Sequence, residues 1–383
     1  MRAWTDGSFS ANSVGPGLAP ARVGASASRA DDLPVESRPM PPTESAPSAE
    51  RLLELVDGLA GRPVVMLADL VLDVFIAGVP KRISREAPVL ILAFEERTVT
   101  PGGGANAVAN VAALGGTPLP LGVVGDEPDG EALRALLAAR GVDVSGLVTK
   151  SGYRTPVKTR ILGGGAIKQQ IVRYDVEDIV KLGETERARF AEALDGRSAP
   201  VAVLSDYGYG SAVPELVPWL REALGPEALL LCDSRYRLER FAGIDAATPN
   251  LEEAEAMAGR PLADEAALAA EGPRLRERLG CRSLLVTRGS RGMSLFTAEG
   301  SAEVPVHGTE EVADVTGAGD TVIGTFALAL AAGASPVEAM LLADYAGGVV
   351  VMKRGTATLD RGELAEAIRA DPRPREELRW ARS

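Results

Sequence analysis

Histidine is almost absent from this sequence. Its single copy in 383 residues, His307, excludes a Ser-His-Asp triad and a multi-histidine metal site and reads as a surface residue. Cysteine is nearly as scarce. Cys232 and Cys281 stand in apolar, strand-like runs with no C-x-x-C pair, as expected of reduced core residues in a cytoplasmic protein. There is no basic excess: the formal net charge of −12 argues against nucleic acid or an anionic membrane as the main partner. No apolar run is long enough to span a bilayer, and no apolar core of a secretion signal follows Arg2. Two phosphate-binding signatures are missing as well, the G-x-x-x-x-G-K-[ST] loop and the H-R-D and D-F-G pair. The glycine tracts 102–104 and 163–165 lack the rest of a dinucleotide fingerprint.

What the chain has is apolar substance and alternation. With 46% hydrophobic and 25% charged residues it can bury a large core in one or two domains. Residues 1–47 are rich in Ser, Ala, Pro and Gly without an apolar period. They are expected to be a disordered extension, or the product of an upstream start codon with Met40 as the true start. From residue 48 to the end the pattern predicts one domain. Helices are expected over 48–59, 131–140, 184–194, 213–224, 251–258 and 263–279. Strands are expected over 63–69, 119–124, 201–205, 228–233, 246–249 and 283–287. Such alternation implies an α/β fold, a mostly parallel sheet with helices on both faces. Shorter β-like runs at 74–100, 154–162 and 169–174 lie outside that rhythm. Ligands in such sheets bind beyond the carboxyl ends of the strands, where Asp69, Asp206, Asp233, Asn250 and Arg288 are placed.

One stretch organises the rest, from Glu311 to Gly324. Gly317-Ala318-Gly319 leads into Asp320 and then an apolar, Ala-rich helix to about Ala332. Small residues before a helix let N–H groups turn outward, and the helix start carries partial positive charge, so this is an anion cradle. A carboxylate at its mouth suits a base that deprotonates a hydroxyl while the N–H groups hold the phosphoryl under attack. The same residues also suit an ordinary N-cap. Asn250 and Glu253 open a helix and would face Mg²⁺ and its waters, or again form a simple cap.

Gly-Gly-Gly-Ala-Asn-Ala at 102–107 and Asp-Val-Thr-Gly-Ala-Gly-Asp at 314–320 resemble the two signatures of the PfkB (ribokinase-like) carbohydrate kinases, over about residues 63–369. Within that family, Arg82–Pro88, Val203–Tyr207, Thr248–Glu253, Val286–Arg288 and Gly292–Leu295 resemble the heptose 7-phosphate kinases. The resemblance implies a ribokinase-like fold with a small β lid at about 74–100 and 153–174, often a dimer contact. It implies transfer of the γ-phosphoryl group of ATP, with Mg²⁺, to the anomeric hydroxyl of a sugar 7-phosphate, and leaves open a monovalent-cation requirement near Thr356. Asp320 would be the base, and the N–H groups of Gly317, Ala318 and Gly319 would stabilise the transferring phosphoryl. Asn250 and Glu253 would organise the Mg²⁺–phosphate shell, Glu253 through water. Arg288, Gly289, Gly292, Ala346 and Gly347 would line the nucleotide side. Asp69, Asp73, Gly103, Gly104 and Asn106 would hold sugar hydroxyls.

The sugar's own phosphate calls for cations, and Lys81, Arg82, Arg85, Lys158, Arg160 and Arg173 are the candidates; as plain edge-strand charges they would only keep the lid soluble. The sequence departs from the heptose kinases at three places. Tyr209 replaces a lysine, the lid carries an insertion at 163–167, and Asp344 replaces an asparagine near the adenine. No nucleotidyltransferase H-x-G-H motif follows, so kinase activity alone is expected. Two rivals are a PfkB kinase for a neutral sugar or nucleoside, which would not need the lid cations, and a non-catalytic binding protein, which would not need Asp320, Asn250 and Glu253 together.

Overall fold

The computed structural model describes residues 46–165, 168–308, 314–353 and 355–382. The expected N-terminal extension lies almost wholly outside them, as do residues 166–167 of the lid insertion and 311–313 of the glycine-rich stretch. Residues Thr43–Ser383 form one compact unit.

Helix α1 (Ala49–Gly58) starts where Ser48 accepts the Arg51 N–H, and it buries Leu52, Leu55 and Val56. Strand β1 (Pro63–Ala68) is apolar throughout and buried on both faces. The chain then leaves the body as β2 (Leu70–Ile83) and returns as β3 (Leu90–Gly103). The glycine tract turns it into α2 (Gly104–Ala113), followed by β4 (Thr117–Gly125), α3 (Pro128–Ala138) and β5 (Leu147–Lys150). A second excursion, β6 (Val157–Gly164) and β7 (Lys168–Val176), precedes α4 (Glu184–Leu194) and β8 (Val201–Asp206). Next come α5 (Val217–Leu224), β9 (Leu229–Ser234), β10 (Ala246–Ala247), α6 (Leu251–Ala258), α7 (Glu265–Leu279) and β11 (Ser283–Thr287). The helix expected over 213–224 opens with a 3₁₀ turn at Pro214–Leu216, because a proline fits a first turn and no interior one.

The main sheet has ten strands in the order β14-β13-β12-β11-β10-β9-β8-β1-β4-β5. From β11 to β5 every pairing is parallel, as the alternation implied. The other edge is antiparallel: β12 (Met293–Phe296), β13 (Gly300–Val304) and β14 (Arg379–Arg382). Helix α8 (Ala318–Ala331) carries the Ala-rich run and is buried nearly all round, with Phe326 fully enclosed. It packs with α9 (Pro336–Val351), α10 (Arg361–Ala370) and α1 on one face of the sheet, while α4 to α7 cover the other. The short α11 (Arg373–Glu376) follows.

Strands β3-β2-β6-β7 form a separate four-stranded sheet, the expected lid. Pairing sets its two faces, since side chains alternate along each strand and opposed residues share a side. Asp73 lies opposite Thr100 and Lys158, and Phe75 opposite Arg160, which lies opposite Arg173. That face is largely polar. The reverse face carries Val74, Ile76, Val99, Val157, Ile161, Val172 and Tyr174, with Val172 and Tyr174 exposed.

Candidate active site

The site is assembled where β1 and β8 end and α2 and α8 begin. Asp320, in the first turn of α8, is buried with 3% of its surface exposed. Its Oδ1 accepts the Tyr207 hydroxyl at 2.7 Å, and its Oδ2 accepts the Asn106 amide at 3.1 Å. Burial above all raises its carboxyl to about 7; Tyr207 and Asn106 pull it down, Asp73 pushes it up, and Lys158 pulls it down. A carboxyl balanced between its two forms near neutrality is what a general base needs.

Ahead of it the backbone opens. Gly317 has φ +81°, and a Cβ there would lie 2.4 Å from Asn106 Nδ2, so only glycine lets the helix start approach α2 this closely. The expected cradle is corrected in one member. The Ala318 N–H donates to the Val315 carbonyl at 3.2 Å, whereas among the described residues nothing accepts from the N–H groups of Gly317, Gly319 and Asp320. A Cβ at Gly319 would meet nothing within 4 Å. The N–H of Asp320 thus takes the place of that of Ala318 among the open donors.

Several residues expected to hold sugar hydroxyls are already engaged. Asp69, fully buried, accepts the N–H groups of Tyr207 (2.9 Å), Tyr209 (2.8 Å), Ser211 (2.7 Å) and Ala212 (3.3 Å). It moulds the 207–212 loop instead of facing a ligand. Asp206 is likewise spent, on Ser234 and the Arg237 fork. Asn106 spends its amide on Asp320 and the Gly317 carbonyl, and its Oδ1 on Asn110, so it orients the base. Gly103 and Gly104 serve close packing: added Cβ atoms would lie 2.8 Å from Val71 and 2.7 Å from Ala68. Asp73 takes Arg160 at 2.6 Å and the Thr356 hydroxyl at 3.0 Å.

The candidate cations divide the same way. Arg160 belongs to Asp73, and Arg173 makes a two-pronged pair with Asp175. Lys81, Arg82 and Arg85 are exposed at the far end of the hairpin, Arg82 opposite Ile91. Lys158 differs. Its ammonium lies 4.9 Å from the Tyr207 ring centre and 5.9 Å from that of Tyr209, with no carboxylate in ion-pair contact among the described residues. Burial lowers its pKa, Asp73 and Asp320 raise it, and Arg235 and Arg173 lower it. Tyr209, in the place of the lysine, closes the loop by donating to Glu177 at 3.0 Å.

Asn250 and Glu253 form the reciprocal cap of α6, each side chain accepting the other's N–H at 2.9 Å. Burial raises the Glu253 carboxyl, and it raises that of Asp233 strongly, with Glu253, Asp320 and Asp206 adding to the latter and Arg235 opposing. On the far side, Gly292 has φ +78° and a Cβ there would overlap the Val304 carbonyl at 2.0 Å, so the β11–β12 turn needs glycine. Gly289 is exposed at φ +60°, and Ala346 and Gly347 are buried along α9. The Arg288 guanidinium turns away from open space, donating to the Arg291 carbonyl at 2.8 Å and lying 3.6 Å from Glu265. Asp344 is buried, accepts the His307 N–H at 2.9 Å, and burial raises it to about 8. His307 itself is not a surface residue: its ring meets Asp371 at 2.9 Å and packs 5.0 Å from Tyr345.

Sequence reasoning missed Tyr207 and Arg235. Tyr207 follows the buried Asp206 at a strand end, the position that pointed to its neighbours. Arg235 gave no signal, because only the fold brings the turn after β9 beside Tyr207; its N–H donates to the Asp206 carbonyl at 3.1 Å.

Comparison with known proteins follows the geometry. The model of the pfkB family carbohydrate kinases matches residues 65–361. The chain is 40% identical over 331 residues to the bifunctional protein HldE of Mesorhizobium japonicum, covering 84% of this chain and 65% of that protein. It is 41% identical over 313 residues to the bifunctional protein HldE of Nitrosococcus oceani, covering 80% and 63%. The chain thus spans about two thirds of the length of these curated relatives, 65% and 63%. In fold it is similar to Arabidopsis thaliana ribokinase complexed with ribose and ATP, with a TM-score of 0.64 at 20% identity, over 81% of this chain and 99% of that one. It is also similar to Escherichia coli phosphofructokinase-2 in complex with fructose-6-phosphate, with a TM-score of 0.64 at 21% identity, over 81% and 99%. The match over most of the chain, with the buried Asp320 at the start of its Gly-rich helix, places the protein in the pfkB family of carbohydrate kinases.

Proposed function

We propose that the protein transfers the γ-phosphoryl group of ATP to the anomeric hydroxyl of a heptose 7-phosphate. The observation that carries this reading is Asp320: a buried carboxyl raised to about 7 beside the open N–H groups of Gly317, Gly319 and its own residue. Asp320 takes the proton of the sugar hydroxyl, whose oxygen attacks the γ-phosphorus. The bond from that phosphorus to the bridging oxygen breaks, and ADP leaves. The open N–H groups hold the charge on the transferring phosphoryl, where catalysis of this class is concentrated. Gly289, Gly292, Ala346 and Gly347 are the proposed nucleotide side.

Mg²⁺ fits the donor set. Among the described residues no group of three or more ligating side chains able to hold a metal ion occurs, and an ion that keeps several waters and binds through one or two carboxylates and phosphates does not need one. Glu253 and Asp233 are half-buried carboxylates; the Glu253 charge acts on Asp233, and Arg235 favours the ionised form of both. They and Asn250 would hold the hydrated ion, which when bound neutralises charge on the phosphates. A monovalent cation beside Thr356 belongs to the same proposal.

The choice of a sugar phosphate rests on the sequence resemblance and on Lys158 and Arg235, neither of which has a carboxylate in ion-pair contact among the described residues. They are the proposed reader of the distal phosphate, in place of the arginines paired on the lid. That pairing of Arg160 and Arg173 favours a second reading, a neutral sugar. Residues 48–383 are the proposed kinase domain, cytoplasmic, with the exposed Val172 and Tyr174 of the lid as the contact of a homodimer. Among the described residues no helix is long and apolar enough to cross a membrane. ADP release measured over phosphorylated and free heptoses, hexoses and nucleosides tests the reading. Turnover confined to the sugar phosphate supports it, and equal turnover of the free sugars removes the heptose 7-phosphate.

A further inference from the structure

Tyr207 is held at its backbone and covered on its ring. Its N–H donates to Asp69 Oδ2 at 2.9 Å, which fixes the backbone. Its ring edge passes 3.4 Å from where a Cβ on Gly103 would lie. Lys158 covers the ring from the lid at 4.9 Å. Held at its backbone and covered by Lys158, the phenol donates its hydroxyl to Asp320 Oδ1 at 2.7 Å.

We infer that Tyr207 is a positioning residue for the base: its O–H fixes the Asp320 carboxylate against Asn106 and favours the form that accepts a proton. The inference rests on the reading of Asp320 as the base. The groups that face Asp320 are Asn106 from α2, Asp73 from β2, Lys158 from β6, Tyr207 from the loop after β8, and Asp233 from β9. Burial and Asp73 favour the neutral acid. Of the groups that favour the carboxylate, Tyr207 acts most strongly, ahead of Asn106 and Lys158. A donor to an ionised acceptor stabilises that form more than the neutral one. The tyrosine itself stays protonated, since burial and the Asp320 charge hold its pKa far above the usual phenol value. It is thus a fixed donor across the working pH range.

The test is the pH profile of kcat/KM for ADP release with the sugar phosphate, measured on Tyr207→Phe beside Asp320→Asn. The parent loses activity as pH falls through the value of Asp320. In Tyr207→Phe that acid limb should move up by about 1–2 pH units, the size of one charge-assisted hydrogen bond. Near neutrality the variant should be about five- to fiftyfold slower, about ten- to a hundredfold slower below pH 6, and at high pH it should approach the parent. Tyr207→difluorotyrosine keeps the ring and strengthens the donor, so its limb should move down; it decides the matter alone should the phenylalanine variant not fold. A loss independent of pH, or a limb that stays in place in both variants, overturns the inference. If Asp320→Asn turns over like the parent, the base reading itself fails. If that variant is dead while the limb of the Tyr207 variants is unmoved, only the role of Tyr207 fails.

Discussion

Asp69 and Asp320 are both carboxylates driven into the interior at the same end of the sheet, and burial raises both, to about 6 and about 7. Their surroundings differ in kind. Asp69 is met by backbone N–H groups of the 207–212 loop, which cannot turn away without breaking the loop. Asp320 is met by two side-chain donors, beside N–H groups that have no acceptor among the described residues. The cations repeat the contrast: Arg160 and Arg173 have their carboxylates, and Lys158 rests on two aromatic faces. A filled corner is read as architecture and an open one as chemistry, even where the residue types are the same.

The same kind of change made in the two corners should sharpen this difference. Asp320→Asn is expected to lose about 10²–10⁴-fold in turnover, the share of a general base, while nucleotide binding and melting temperature are retained. Asp69→Ala should act first on stability. It leaves several buried N–H groups without an acceptor and should lower the unfolding free energy by about 2–4 kcal/mol, read from urea midpoints. Activity would follow only because the loop carries Tyr207. If Asp69→Ala folded normally and simply lost its affinity for sugar, the division between the corners would be broken.

Much of this was legible in the residues. The alternation of apolar strands and helices predicted the parallel part of the sheet, and the Gly-rich stretch predicted a helix start with Asp320 in its first turn. The expectation erred where a side chain's partner comes from far along the chain. Nothing near Asp69 in sequence says that a loop some 140 residues on will surround it, and nothing near Asp73 points to Arg160 or Thr356. The antiparallel edge was missed because β12, β13 and β14 are only 4 or 5 residues each, too short to show a period.

Lys158→Ala should remove about ten- to a hundredfold from kcat/KM for the phosphorylated sugar, the range of one charge-assisted contact, with KM for ATP unchanged. Arg160→Ala should cost lid order instead, since its loss leaves Asp73 buried without its cation.

A third buried carboxylate extends the contrast. Asp344, raised to about 8 by burial, accepts the single N–H of His307. Its folded value lies above the unfolded one, near 3.8, so the folded state binds the extra proton between those values. Stability therefore falls as pH rises from about 4 to 8, the reverse of a salt-bridged aspartate. Asp344→Asn keeps an acceptor for His307 and removes the titration. It should stabilise the protein at pH 8 by on the order of 2 kcal/mol and flatten melting temperature against pH.

The smallest effect is expected at Arg82. It lies at the exposed end of the β2–β3 hairpin with no carboxylate or aromatic partner among the described residues, where substitutions commonly change free energies by less than about 0.5 kcal/mol. Arg82→Ala should then leave kcat/KM for the sugar phosphate within about twofold of the parent. The prediction decides whether the filled and open corners account for recognition by themselves. The lid is joined to the body through the strand that carries Asp73 and the turn into α2, so closure would move the far end of the hairpin more than its base. A large loss in Arg82→Ala, with Lys158→Ala unaffected, would mean that the hairpin end travels to the sugar and that the open cation beside Tyr207 serves the base alone. Equal losses in both would place the phosphate between them.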